Sequence, residues 1–125
     1  MSLDELTFEI RGCLFEVFRE LGPGLFESVY EHALMYELQL RDLNVKSQMG
    51  LPVAYKDTHL HLGFRVDLVV EELVLLEIKS VEALHDVHKK QLLTYLKLSE
   101  KKIGFLVNFN VVKLEDKVSL IRIIN

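Results

Sequence analysis

The sequence predicts an α/β (α+β) fold in which helices flank a mixed β-sheet, in the order ααβββαββ. Three observations lead there. Apolar residues recur at helical spacing in two N-terminal segments and once more near residue 90. Between and after those segments the pattern changes to short, nearly unbroken apolar runs divided by turn residues. The third helical segment falls between two such runs, as a crossover between strands of one sheet would.

The first helix is read over residues 3–21, where Leu3, Leu6, Ile10, Leu14, Phe15, Val17, Phe18 and Leu21 form one stripe behind Ser2 as N-cap. "LGPG" stops it, since Gly22 suits the position after a helix and Pro23 cannot continue one. A second helix covers about residues 25–42, with Val29, Ala33, Leu34, Tyr36, Leu38 and Leu40 apolar. "VKSQMGLPVAYK" then reads as an extended segment that Pro52 pushes toward a sheet edge. "DTHLH" makes a turn, "LGFRVDLVV" a second strand and "LVLLEIKSV" a third, with Glu71–Glu72 as the tight connection. Asp86 caps a third helix running to about Leu98. "IGFLVNF" has the continuous apolarity of a strand buried on both faces, and "VSLIRII" is a last strand.

A length of 125 residues predicts a single domain, 1–125, able to bury one core. With 50% hydrophobic and 27% charged residues, the composition is that of a globular chain. No apolar run has the length of a membrane span, and "MSLDELTFEI" holds no signal-peptide core, so a cytoplasmic location without membrane association is expected. Cys13 is the one cysteine, which excludes an internal disulfide and a cysteine-based zinc site. The net charge of −4 argues against a protein that coats duplexes through a broad basic surface.

Asp67, Glu77 and Lys79 stand inside the most hydrophobic stretch, "FRVDLVVEELVLLEIKSV". Residues two apart in a strand share a face at roughly 6–7 Å. Glu77 and Lys79 therefore project together with Leu73 and Leu75, while Val74, Leu76 and Ile78 point the other way. Asp67, on the neighbouring strand, falls where it can approach Glu77. Unpaired buried charges cost several kcal/mol, so these groups need partners. One reading is a structural ion pair at a sheet edge. The other is a pair of carboxylates converging on a hard divalent cation, with a lysine beside it to stabilise phosphate charge or orient a water.

An acid, a short gap and then Glu-x-Lys on the next strand resembles the PD-(D/E)xK nuclease superfamily, with its restriction-endonuclease-like core. The chain is most similar to its small GxxExxY branch, whose signature stands here as "GLFESVY", with Gly24, Glu27 and Tyr30. Supporting stretches are "LPVAYK", "RVDLVV", "LLEIKSV", "HKKQLLTYLK" and "VNFN". Val66 stands where the superfamily name has proline. The resemblance implies a hydrolase acting on nucleic-acid phosphodiester bonds, DNA favoured, with Mg²⁺ or Mn²⁺ as cofactor. It implies Asp67 and Glu77 as metal-binding acids, the Ile78 backbone carbonyl as a third oxygen, Glu27 as an acid at the same centre and Lys79 as the catalytic lysine. Gln91 and Tyr95, with Tyr30 and His88, are then expected at the substrate.

Each of these residues also has a plainer role. Glu27 near a helix start favours the helix dipole, tyrosines often edge a core, and helical glutamines are usually solvated. Gly24 can serve the turn alone. His59 and His61 alternate near a strand end, and His85 and His88 flank the third helix, but no H-E-x-x-H spacing points to a transition-metal site. An inactive binding or assembly module, homodimeric through the "LPVAY" edge or the "LIRII" strand, is the alternative that the acidic net charge favours.

Overall fold

The computed structural model describes residues 1–125, the side chains of residues 61–64 excepted. Helix α1 (Leu3–Leu21) opens with a capping box: Ser2 Oγ accepts the Glu5 N–H and the Glu5 carboxylate accepts the Ser2 N–H. It closes where Gly22 turns to φ 66° and donates its N–H to the Phe18 carbonyl. Helix α2 (Glu27–Leu40) begins later than the sequence suggests. Leu25 is engaged elsewhere, its N–H donating to the Tyr30 hydroxyl and its carbonyl accepting from Ser80, and Phe26 caps the helix in an extended conformation.

Strands β1 (Val45–Tyr55), β2 (Thr58–Val70) and β3 (Val74–Lys79) form an antiparallel meander. Helix α3 (Asp86–Ser99) crosses over to β4 (Ile103–Asn108), which lies parallel to β3, and β5 (Leu120–Ile124) pairs antiparallel with β4. The sheet order is β1-β2-β3-β4-β5, so the ααβββαββ order and the mixed sheet stand as read from the sequence. β1 is an edge strand, and its register shifts between Leu51 and Val53, at Pro52, which has no N–H to give a ladder.

Further boundaries differ from the sequence reading. The β1–β2 turn is Lys56–Asp57, not 57–61: Tyr55 already pairs with Thr58, and Lys56 takes φ 55°. Leu73 belongs to the β2–β3 turn and is half exposed, because its N–H closes the turn onto the Val70 carbonyl behind left-handed Glu71 and Glu72. Asp86 is the first residue of α3 rather than its cap. His85 takes the cap position, and its N–H donates to His88 Nδ1 at 3.0 Å.

The sheet is packed on both faces. Leu68, Val70, Val74, Leu76, Ile78, Phe105 and Val107 face α1 and α2, against Ile10, Leu14, Leu34 and Leu38 among others. Leu75, Leu106 and Val69 face α3, against Leu92 and Leu96. α3 lies so close to β4 that a Cβ on Gly104 would sit 3.1 Å from the Leu75 carbonyl and 3.2 Å from Leu92. The alternation along β3 thus puts Glu77 and Lys79 on the Leu75 side of the sheet, the α3 side. No helix among the described residues is long and apolar enough to cross a membrane.

Candidate functional site

The ladder between β2 and β3 is short: Val70 pairs with Val74, Val69 with Leu75 and Leu68 with Leu76. The next position is Asp67 opposite Glu77, and there the strands part. The Asp67 N–H donates to Glu77 Oε1 at 3.1 Å, and the Ile78 N–H donates to Asp67 Oδ2 at 2.7 Å. The Asp67 carboxylate thus takes the Ile78 N–H, and the Glu77 carboxylate takes the Asp67 N–H, each bonded to the backbone of the opposite strand. Buried donors must be satisfied, so the acids fill the fork that they open. Within the hydrophobic stretch, each acid therefore satisfies a backbone donor of the neighbouring strand.

One oxygen of each acid remains for other work. Asp67 Oδ1 takes a 3.3 Å contact from Gln48 Nε2, and Glu77 Oε2 accepts no hydrogen bond among the described residues. A strand residue's N–H and C=O point to the same side. The Ile78 carbonyl therefore faces the fork with its N–H, while the Lys79 carbonyl points to β4 and accepts the Phe109 N–H.

Charge accumulates here. Glu77 is only 6% exposed, and burial first, then the Asp67 charge, pushes its carboxyl up to about 7; Glu27 adds to this, while the Asp67 N–H and Lys79 oppose it. Glu31 is likewise raised, by burial and by Asp67 and Glu27, against the bond it receives from Gln48. Tyr95, on the α3 side, is raised by burial and then by the charges of Glu77 and Asp67. His88 is lowered, by burial and then by Lys79 and His85, while Glu27 opposes this. Its Nδ1 accepts the His85 N–H, so the ring proton resides on Nε2.

Glu27, the first residue of α2, accepts the Ser80 N–H at 3.2 Å, and Ser80 Oγ donates to the Leu25 carbonyl at 2.7 Å. The start of α2 is thereby fastened to the end of β3, one residue past Lys79. Glu27, Asp67, Glu77, Lys79, His88 and Tyr95 gather in one electrostatic neighbourhood. Gln91 is exposed, one helical turn ahead of Tyr95 on α3. Tyr30 is placed differently from a substrate contact. It is fully buried and stacked on Phe109 at 4.4 Å, and its hydroxyl donates to the Gly22 carbonyl at 2.6 Å while accepting the Leu25 N–H. It braces the loop that delivers Glu27.

His59 is exposed, paired with Ala54 one position beyond the β1–β2 turn pair, and the His61 side chain lies outside the described residues. Among the described residues, no three Asp, Glu, His or Cys side chains already meet as a ready-made cage. A hollow of about 870 Å³ lies elsewhere: Phe8, Arg11, Phe105, Asp116 and Arg122 line it between α1 and β5, and Glu27, Asp67 and Glu77 take no part in it. Ser80 and Gln48 are the site's neighbours that the sequence reading missed. Ser80 sits beside Lys79, a signal of sorts, whereas nothing in the sequence marks Gln48.

A family model for the PD-(D/E)XK nuclease superfamily matches residues 4–122, nearly the whole chain. The chain belongs to that superfamily, and its sheet, crossover helix and paired N-terminal helices form a restriction-endonuclease-like α+β fold. No curated protein and no solved structure matches it.

Proposed function

We propose that the chain is a metal-dependent nuclease of the GxxExxY branch that hydrolyses nucleic-acid phosphodiester bonds, DNA before RNA, within one domain spanning residues 1–125. The observation that carries this reading is the fork at Asp67 and Glu77, with Lys79 two residues further along the same strand. A structural ion pair would bring a cation onto these carboxylates. Instead both accept from backbone N–H groups, and neither has an ion-pair partner among the described residues.

The donor set suits Mg²⁺ or Mn²⁺. Asp67, Glu77, the Ile78 carbonyl and Glu27 are all hard oxygen donors, and Mg²⁺ needs few of them because water and phosphate complete its shell. Crowded carboxylates that raise one another's proton affinity are also the groups a divalent ion would relieve. Bound there, such an ion supplies Lewis-acid polarisation of the phosphate and a more acidic water. Lys79 stabilises negative charge on the phosphate or holds the attacking water. His88, with its proton on Nε2, offers a donor to a phosphate oxygen, and Gln91 and Tyr95 contact substrate from the same helix. The net charge of −4 favours a second reading, an inactive binding module with the same fold.

Incubating the protein with plasmid and single-stranded substrates in Mg²⁺ or Mn²⁺, beside Lys79→Ala, separates the two. Metal-dependent cleavage that the variant loses supports the nuclease. Cleavage by neither protein sinks it and leaves the module.

A further inference from the structure

We propose that Gln48, held by Glu31, is a positioning residue that fixes Asp67 in the fork. Seven non-glycine residues have positive φ, and among the described residues Gln48, at φ 49°, is the one inside a strand; Asp42, Lys56, Glu71, Glu72, Glu100 and Lys117 are in turns or at element ends. L-residues avoid this conformation, and where one keeps it the surroundings must hold it. The pairs on either side are regular, Ser47 with Leu68 and Met49 with Val66, so the departure is confined to the position opposite Asp67.

The twist has a visible product. Gln48 Nε2 donates to Glu31 Oε1 at 2.7 Å and reaches Asp67 Oδ1 at 3.3 Å. One amide thus bridges α2 and β2, and it touches the Asp67 oxygen that is not spent on Ile78. Free rotation of Asp67 would break the Ile78 bond and misdirect the oxygen that the proposed metal would use. Glu31 fixes the amide's orientation, since a carboxylate can only accept. β1, β2 and β3 therefore leave regular pairing at one level across the sheet, and Gln48 and Glu31 join the site as an outer layer behind Asp67.

The metal consequence rests on the reading of Asp67 as a metal-binding acid; the positioning itself does not, and two measurements keep them apart. Gln48→Gly removes the amide and suits the left-handed backbone, so its melting temperature is expected to equal or exceed the parent's. Its Ile78 amide is expected to exchange with solvent about tenfold faster, with Leu76 and Val107 unchanged, and its Mn²⁺ affinity to fall about tenfold, the lower end of what outer-layer partners contribute. Glu31→Ala reproduces both effects, and Glu31→Gln, which keeps an acceptor oxygen, restores them. Unchanged Ile78 exchange in Gln48→Gly overturns the inference, whatever the metal does. If the parent itself binds no Mn²⁺, the metal reading fails, while Ile78 exchange still decides the positioning.

Discussion

Glu77 carries an unusual proton at neutral pH. Its carboxyl titrates at about 7 in the folded chain against an ordinary 4.5, through burial and the Asp67 charge. Below 4.5 the group is protonated folded or unfolded, and no difference arises. As pH rises from 4.5 to 7 the unfolded chain releases the proton while the folded one keeps it, so stability falls across that window and is flat above it. At about 1.4 kcal/mol for each tenfold change in proton affinity, the loss reaches roughly 3 kcal/mol. Urea unfolding in EDTA is expected to show the parent losing stability from pH 5 to pH 8, and Glu77→Gln losing markedly less. Divalent-ion binding must displace the same proton, so Mn²⁺ affinity is expected to climb with pH through 7 in a calorimetric titration. Tyr30 answers to a different measurement. Tyr30→Phe keeps the stacking on Phe109 but strips the Gly22 carbonyl and Leu25 N–H of their partner. A cost of about 1–3 kcal/mol in unfolding free energy is expected.

Among the elements, helix α3, which carries Tyr95, His88 and Gln91, packs on the sheet at a distance that Gly104 permits. Gly104→Val would drive two methyl groups into Leu92 and the Leu75 carbonyl. Overpacking of this kind costs about 1–3 kcal/mol, and cleavage, where the parent cleaves, is expected to drop further than stability alone explains. The elements were legible in the sequence wherever a periodic pattern met a chemical stop, as at Ser2, Gly22 and the alternation of Val74, Leu76 and Ile78. The turns were less so. Lys56, Glu71 and Glu72 adopt left-handed backbone that no glycine or asparagine announces, and Leu73 is apolar yet turned out. Within the site, Asp67, Glu77 and Lys79 were legible because charge in an apolar run is conspicuous. Gln48 was not, since its role comes from a backbone angle and a helix 17 residues away in sequence. The late start of α2 was hidden too, because it depends on Ser80 and Tyr30 engaging Leu25.

For the molecule as a whole, a net charge of −4 limits what nucleic acid can gain from it. Without divalent ions, a random duplex is expected to bind no tighter than about 10⁻⁴–10⁻⁶ M at physiological salt. Fluorescence anisotropy with and without Ca²⁺ checks this, and an ion that bridges the acids to phosphate should tighten binding. The sheet ends in two edge strands, β1 and β5, each paired on one side, and either would serve the homodimer proposed from the sequence. Light scattering across a concentration series measures the association directly. The separation of the hollow by α1 from the acids also matters for anyone seeking an inhibitor. A compound library ranked by thermal shift alone would enrich ligands for the cleft beside Phe8, and such hits would leave Lys79 untouched. Screening by competition with Mn²⁺ would instead select chelating scaffolds that engage the fork.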